Sequence, residues 1–322
     1  MTRVLVTGAA GFIGSHLVEA LVRRGDEVVG IDNFDPFYPR AMKERNLGEM
    51  APCPGFTFHE QDMRDVEALR ARLTPDTVIV HLAARAGVRP SLADPVGYAD
   101  MNVTGTAAVL EAARRAGVSR IVLGSSSSVY GDSTPAPFRE DAVAVEPVSP
   151  YAATKRAAEL LLRAVAPAYG FRSAALRFFT VYGPRQRPDL AIHAFARRLV
   201  AGEVITLFGD GTQARDYTYC DDIVAGVAAA VEWTATAPVG MEPFNLGGNL
   251  SVPTRAMLDE VVAALGIEPR VVWAPMQPGD VQRTAADLTR SKAVLGYAPR
   301  TPFPEGVRRF AAWFRKVYGR TD

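Results

Sequence analysis

The sequence predicts an α/β protein in which a doubly wound parallel sheet is followed by a smaller C-terminal α/β lobe. Two observations lead to this prediction. Short β-branched runs alternate with alanine- and leucine-rich helical stretches through the first half of the 322 residues. Proline and glycine then become denser from Gly183 onward. Parallel strands need long crossover connections, usually helices, so the alternation indicates a sheet covered by helices on both faces.

The predicted strands are short and apolar, as buried parallel strands are. They cover residues 4–6, 27–31, 56–59, 77–81 and 120–123. Helical patterns occupy residues 15–24, 66–73, 103–116, 192–201 and 254–265. We expect residues 1–180 to form the sheet domain and residues 181–322 to form mainly the smaller lobe, with a segment at about 216–245 returning to the sheet.

Composition argues against several classes of protein. A formal net charge of +1 lacks the basic excess of nucleic-acid or membrane-surface binders. The chain opens on a strand-like run, and no apolar stretch approaches a membrane span, so we expect a cytoplasmic protein. Cys53 and Cys220 form no CxxC pair and the four histidines show no metal-ligand spacing, so we expect reduced thiols and no metal.

A glycine loop, TGAAGFIG at residues 7–14, follows the first predicted strand and opens the first helix. A glycine triplet alone is weak evidence, because a plain tight turn has the same pattern. Here the second strand ends in Asp32, whose carboxylate can accept hydrogen bonds from a ribose and repel a 2′-phosphate. The region therefore predicts a dinucleotide site that prefers NAD to NADP. Its candidate cofactor residues are Gly8, Gly11, Phe12, Ile13, Gly14, Asp32 and Asn33.

Two further segments end strands at the same sheet edge. Asp62 and Met63 either flank an adenine ring or belong to a helix cap near Asp65, and the residues leave both interpretations open. Leu82, Ala83 and Ala84 follow the strand at 77–81, and their small size would let the backbone approach a cofactor.

The segment SPYAATK at residues 149–155 predicts a helix with Ser149 as N-cap and Pro150 at its first position. Tyr151 and Lys155 are then four residues apart on one helical face. Forming a free tyrosine phenolate at neutral pH costs about 4 kcal/mol, which a nearby ammonium and a positively charged nicotinamide would offset. A YxxxK pattern is common on solvated helices. Downstream of a dinucleotide loop, in a chain with four lysines, it favours a general base for a sugar hydroxyl.

Four serines, residues 125–128, follow the strand at 120–123. They are either a polar loop or substrate ligands. Their position at the carboxyl end of a central strand favours contact with a substrate.

Taken together, the motifs TGAAGFIGS, IDN, HLAA, SSSSVYG, YAATK, LRFFTVYGP, GDGTQARDYTY and QPGDV resemble the extended short-chain dehydrogenase/reductases, the nucleotide-sugar epimerases and dehydratases. The resemblance runs almost end to end. It implies a Rossmann domain with permanently bound NAD, a nucleoside-diphosphate sugar in the C-terminal lobe and a homodimer with a helical interface. It also implies roles for particular residues: Ser126 as the catalytic hydroxyl beside Tyr151 and Lys155, Asn102 and Phe178 in the cofactor pocket, and Arg215 and Asp280 as nucleotide contacts.

Departures from the family pattern indicate which subgroup of these enzymes the sequence resembles. Ser127 and Ser128 stand where sugar dehydratases and UDP-glucuronate decarboxylases have acidic residues. Thr180 stands where UDP-galactose 4-epimerases typically have asparagine, and Gln277 where they often have arginine. This combination resembles the UDP-glucuronate 4-epimerases.

The expected reaction is therefore inversion at C4 of a UDP-sugar through a 4-keto intermediate. A 4-ketone lies β to the C6 carboxylate of a uronic acid, which makes that group prone to leave as carbon dioxide. Hydroxyls of Ser127, Ser128 and Thr180 are candidates for holding the carboxylate. Arg187 is either a fourth carboxylate ligand or a phosphate or surface arginine, and Arg89 is either a phosphate contact or a loop anchor. The alternative functions are a UDP-galactose 4-epimerase, a decarboxylase or 4,6-dehydratase, and a catalytically silent NAD sensor.

Overall fold

The computed structural model describes residues 1–48, 53–142, 146–248, 250–275 and 282–319. Its first half alternates strands and helices as predicted. These elements are β1 (Arg3–Thr7), α1 (Phe12–Arg23), β2 (Glu27–Asp32), α2 (Arg40–Gly48), β3 (Phe56–Glu60), α3 (Val66–Arg70), β4 (Val78–His81), α4 (Val88–Ala93), α5 (Pro95–Ala99), α6 (Gly105–Arg115), β5 (Arg120–Ser126), α7 (Pro150–Tyr169) and β6 (Arg172–Phe178).

The second half contains shorter strands between its helices. These elements are β7 (Thr180–Tyr182), α8 (Ala191–Val200), β8 (Val204–Phe208), β9 (Ala214–Tyr219), α9 (Cys220–Trp233), β10 (Gly240–Leu246), β11 (Ser251–Pro253), α10 (Thr254–Leu265), β12 (Arg270–Ala274), α11 (Thr289–Leu295) and α12 (Phe303–Tyr318).

Seven strands form a parallel central sheet in the order β10-β6-β5-β4-β1-β2-β3. Alternate residues of β1 face different cores: Val4 and Val6 pack with the cluster that contains α1 and α9, and Leu5 packs with the cluster that contains α6 and α7. The strands β1, β2, β4 and β5 are almost wholly buried because helices cover both faces of the sheet, whereas the edge strand β3 is only partly buried. The predicted doubly wound α/β fold is thus confirmed.

The strands of two smaller sheets follow β6 in the chain. One has the order β11-β9-β7 and the other pairs β12 with β8. Strand β10 joins the central sheet beside β6, so part of the second half of the chain packs with the first. The division at residue 180 into two lobes stays a prediction. Among the described residues, we find no helix long and apolar enough to cross a membrane.

Three helices differ from the predicted ones by more than one residue at a boundary. Helix α1 begins at Phe12, three residues early, because Gly11 provides an N-cap inside the glycine loop. Helix α3 ends at Arg70 rather than at residue 73. The helix predicted over 103–116 is a π-helical turn, Asp100–Thr104, followed by α6; here the Thr106 hydroxyl donates to the Asn102 carbonyl at 2.5 Å. Helix α10 has the predicted boundaries.

Candidate functional site

A cleft of about 420 Å³ lies at the carboxyl ends of the central strands. This is the edge at which parallel α/β sheets bind ligands. The predicted site residues that line it are Gly8, Gly11, Phe12, Ile13, Gly14, Asp32, Asn33, Met63, Leu82, Ala83, Ala84, Ser126, Ser127, Ser128, Tyr151, Lys155, Phe178, Thr180 and Arg187.

The glycine loop has no room for side chains where it turns. Gly8 has a φ of +72°, and a Cβ there would lie 2.9 Å from the Ala83 nitrogen. A Cβ on Gly14 would lie 2.1 Å from the Gly8 carbonyl oxygen. Helix α1 starts at this turn without a side-chain cap, so its first N–H groups face the cleft as a site for an anion. The loop therefore fits the pyrophosphate of a dinucleotide.

Asp32 lies at the end of β2 with its side chain 5% exposed. Its Oδ1 accepts the Phe34 N–H at 2.8 Å and the Lys43 ammonium at 3.0 Å. A buried carboxylate at this strand end matches the diol of an adenosine ribose. The lysine beside it was not predicted as a site residue. Its signal in the sequence is the rarity of lysine, because the chain has four.

Met63 lines the cleft, whereas Asp62 lies behind a residue that lines it. The Asn33 amide donates to Asp62 Oδ2 at 3.0 Å, so Asp62 supports a cleft residue without lining the cleft itself. Asp65 is the N-cap of α3 and accepts the Ala68 N–H at 3.0 Å. The cap therefore belongs to Asp65, and Asp62 and Met63 are left beside the cofactor end of the cleft.

His81 ties the loop after β4 to the glycine loop. The Thr7 hydroxyl oxygen accepts the N–H groups of Leu82 and Ala83 at 3.1 and 3.0 Å, so its own proton is directed at His81 Nδ1, 2.7 Å away. His81 Nε2 lies 3.1 Å from the Thr106 hydroxyl, which donates elsewhere and therefore accepts here. Burial, and to a smaller extent the Lys155 charge, lower the pKa of His81 to about 3. The imidazole is thus neutral, with its proton on Nε2.

Helix α7 begins as predicted. Ser149 is its N-cap and accepts the Ala152 N–H at 3.2 Å, and Pro150 occupies the first turn. Tyr151 and Lys155 both line the cleft from this helix. The i and i+4 spacing therefore places the phenol and the ammonium on one face, as expected.

Three neighbours act on the Tyr151 phenol. Burial raises its pKa, while the Ser126 hydroxyl and the Arg187 guanidinium both lower it. The Tyr151 ring also packs edge-on against Tyr98, with centroids 6.4 Å apart. The phenol is consequently held in place while groups that stabilise its ionised form lie next to it.

Lys155 is 7% exposed and donates to the Gly124 carbonyl at 2.8 Å. Burial lowers its pKa to about 8, against the opposing effect of Glu159 one helical turn away. The side chain is therefore mainly an ammonium at neutral pH. It supplies a positive charge at the floor of the cleft.

The serine loop follows β5 directly. The Ser126 hydroxyl donates to the Ser128 hydroxyl at 3.0 Å and accepts the Ser128 N–H at 3.2 Å. Ser127 and Thr180 line the cleft beside them. Neutral hydroxyls therefore occupy the end of the cleft that holds Tyr151.

Arg187 points into the same region but already has a partner. Its guanidinium binds Asp189 through two contacts of 3.0 and 2.7 Å and lies 5.2 Å from the Phe37 ring centroid. Burial opposes its charge, yet the Asp189 carboxylate raises the pKa of Arg187. The carboxylate and phosphate alternatives for Arg187 both stay open.

Some predicted residues in the described part of the chain do not line the cleft. Asn102 is 2% exposed; its amide donates to the Arg85 carbonyl and the Thr154 hydroxyl, both at 2.9 Å, and accepts the Arg85 N–H at 2.8 Å. It thereby fastens the loop after β4 to α7. Arg89 lies 5.1 Å from the ring centroid of Phe208.

Arg215 lies in β9 and donates to the Ala214 carbonyl at 3.2 Å, also away from the cleft lining. Gln277 and Asp280 lie outside the described residues. The nucleotide contact expected of Asp280 and the substrate-binding role of Gln277 stay predictions.

A buried ion cluster that lies beneath α7 was not predicted from the sequence. Glu159 is 0% exposed and binds Arg177 at 2.9 and 3.0 Å, Arg156 at 2.9 Å and the Ser125 hydroxyl at 2.6 Å. These contacts join α7 to the ends of β5 and β6. The sequence does contain one indication of this cluster. Glu159 follows Tyr151 by eight residues, which places it on the helical face that packs against the sheet.

The two cysteines are free thiols, as predicted. His16, Cys220 and Asp221 bring possible metal-ligand atoms within 4.8 Å of one another, which the linear spacing does not reveal. Burial first, and then Asp221, raises the pKa of the Cys220 thiol well above its usual value. The expectation of no metal stays a prediction.

Comparison with known proteins decides the family. The model of the NAD dependent epimerase/dehydratase family matches residues 4–247, which cover the central sheet and the whole described cleft. The chain belongs to this family. The resemblance seen in the motifs is confirmed, and the cofactor is NAD.

The similar proteins cover nearly the full chain. A UDP-glucuronate 4-epimerase from Thermodesulfobacterium geofontis is 39% identical over 315 residues, 97% of this chain and 96% of that protein. The crystal structure of UDP-glucuronic acid 4-epimerase from Bacillus cereus, in complex with UDP-glucuronic acid and NAD, is 34% identical, covers 98% of this chain and 100% of its own, and has a TM-score of 0.91. The UDP-glucose 4-epimerase of Thermotoga maritima, with UDP-glucose, is 31% identical, covers 98% and 99%, and has a TM-score of 0.87.

Proposed function

We propose that this protein is an NAD-dependent UDP-sugar 4-epimerase whose substrate is UDP-glucuronate and whose product is UDP-galacturonate. The observation that supports this substrate is the set of neutral hydroxyls, on Ser127, Ser128 and Thr180, that lines the cleft beside Tyr151. The full-length similarity to UDP-glucuronate 4-epimerases agrees with it.

In this proposal Tyr151 is the general base that takes the proton from the sugar O4 and later returns it. Ser126 orients the transferred proton, because its hydroxyl lies beside the phenol. The Lys155 ammonium lines the same cleft one helical turn from Tyr151, and in this proposal its positive charge favours the phenolate. NAD, when bound, supplies the redox chemistry by accepting and returning the hydrogen of C4. Since the oxidation is reversed on the other face of the sugar, no net redox change occurs.

The chain must also keep the intermediate intact. A 4-keto uronic acid loses carbon dioxide most easily when its C5–C6 bond aligns with the carbonyl π orbitals. Hydroxyl ligands on the carboxylate can hold that bond near the carbonyl plane and keep the negative charge solvated. We assign this role to Ser127, Ser128 and Thr180, with Arg187 as the neighbouring cation.

Two other functions of this family would be expected to need different groups in the cleft or a different sugar. A dehydratase or decarboxylase would be expected to have acidic groups where Ser127 and Ser128 lie. A UDP-galactose 4-epimerase performs the same redox step on a neutral sugar, and the Thermotoga maritima enzyme makes it the strongest alternative.

One assay separates the alternatives. The protein is incubated separately with UDP-glucuronate and with UDP-glucose, and the products are identified by NMR. Formation of UDP-galacturonate supports the proposal. Formation of UDP-galactose alone would replace it with the neutral-sugar epimerase, and a five-carbon UDP-sugar as the main product would replace it with the decarboxylase.

Two expectations about the setting of the enzyme stay predictions. The homodimer with a helical interface is tested by light scattering in solution. The cytoplasmic location is tested by fractionating the source cells.

A further inference from the structure

Lys43 is a buried cation at the cofactor end of the cleft. Its side chain is 8% exposed, and its ammonium lies 3.0 Å from Asp32 Oδ1 and 5.1 Å from the Tyr38 ring centroid. Both Lys43 and Asp32 line the cleft. A buried ammonium needs a partner to remain charged, and Asp32 provides it.

The contacts of the pair leave hydrogen-bonding capacity toward the cleft. Both described contacts of Asp32 use Oδ1, so its Oδ2 can accept further hydrogen bonds. An ammonium has three N–H donors, of which Asp32 takes one. The strand end therefore presents an acceptor and a donor side by side, which suits the two hydroxyls of a ribose.

The charge of the pair has a consequence for cofactor choice. Asp32 alone would repel a 2′-phosphate, but Asp32 and Lys43 together have no net charge. The arginines described near this end have carboxylate partners of their own: the exposed Arg40 is bound by Glu44 and Glu60, Arg85 by Asp35, and Arg187 by Asp189. Removing the Asp32 charge would therefore leave the buried Lys43 ammonium without its anionic partner at the end of β2.

We propose that Lys43 is a cofactor-selecting residue: with Asp32 it completes the NAD ribose site, and without the Asp32 charge it binds the 2′-phosphate of NADP. The proposal concerns the cofactor end of the cleft alone. It is independent of which sugar is the substrate.

The test measures binding of NADH and NADPH to protein stripped of cofactor, without sugar, by fluorescence titration and by the shift in Tm. The variants are Asp32→Asn, Lys43→Met and the double variant. Lys292→Met removes the same charge from an exposed position and is the matched control. Wild-type protein and the control should prefer NADH by at least about a hundredfold.

Asp32→Asn should raise the NADPH-to-NADH affinity ratio by at least about a hundredfold, and adding Lys43→Met should remove at least about tenfold of that gain. Equal NADPH affinity in Asp32→Asn and the double variant would overturn the proposal, because the gain would then come from lost repulsion alone.

If Asp32→Asn fails to fold, Lys43→Met in the wild-type background still tests the proposal. It leaves the Asp32 carboxylate without its cation, so the NADPH-to-NADH affinity ratio should fall at least about tenfold, while Lys43→Arg should keep the wild-type ratio. An unchanged ratio in Lys43→Met would overturn the proposal.

Discussion

The Tyr151→Phe variant tests the proposed base with the smallest possible change. It removes the phenolic oxygen on which Ser126 and Arg187 act, and it keeps the ring that packs against Tyr98. A general base contributes about 10²–10⁴-fold to rate. We expect a loss near the upper end of this range, because the Ser126 hydroxyl and the Arg187 charge stabilise the base through this one atom. Each tenfold corresponds to about 1.4 kcal/mol of activation free energy.

The assay is the initial rate of UDP-galacturonate formation, measured with the NAD content of the same preparation after denaturation. We expect Tyr151→Phe to retain bound NAD, because the glycine loop and Asp32 are untouched. Tyr98→Phe is the matched control: it removes a phenol that donates to the Ala86 carbonyl at 3.0 Å, a hydrogen bond worth about 1 kcal/mol. Its rate should fall less than about tenfold. Wild-type turnover in Tyr151→Phe would refute the role of Tyr151 as the base.

Further predictions concern the charges around the site and the carboxylate ligands. The pKa of Lys155 is lowered to about 8, so kcat/KM should fall as pH rises through that value and the ammonium is lost; a flat profile up to about pH 10 would contradict this. Glu159→Gln should reduce the free energy of unfolding by about 3–5 kcal/mol in urea denaturation at pH 7. Arg156→Gln, which removes a half-buried partner of Glu159, is the control and should reduce it by about 1 kcal/mol or less. Because Arg177 keeps the pKa of Glu159 below its ordinary value despite burial, the wild-type advantage should persist at neutral pH and shrink as pH falls below about 4.5. Thr180→Val should increase the share of five-carbon product from UDP-glucuronate, and an unchanged product ratio by NMR would remove Thr180 from the carboxylate ligands.

The fold could be predicted because its signals are local. The predicted strands, β1 to β5, are short runs rich in apolar residues, and Ser149 and Pro150 indicate where α7 begins. Tyr151 and Lys155 followed from helical spacing. The predicted start of α1 was three residues too late. Its N-cap is Gly11, and a glycine has no side chain that could indicate a cap in the sequence.

The ion pairs of the site could not be predicted in the same way. Lys43 and Asp32 are eleven residues apart, and the chain between them turns through Phe34 at a φ of +52°, which no periodicity describes. Glu159 binds Arg177 because α7 packs against β6. This contact can be predicted only when the order of the strands in the sheet is known. Asn102 resembled a cofactor ligand by position, while its amide binds the backbone of Arg85.

The central claim is that the chain removes the C4 hydrogen of UDP-glucuronate and returns it to the opposite face of the same sugar. The most direct measurement follows UDP-glucuronate deuterated at C4 by NMR and mass spectrometry. We predict UDP-galacturonate that retains deuterium at C4, with no accumulation of reduced cofactor. Product that has lost the C4 deuterium to solvent, or a five-carbon UDP-sugar in place of UDP-galacturonate, would contradict the claim.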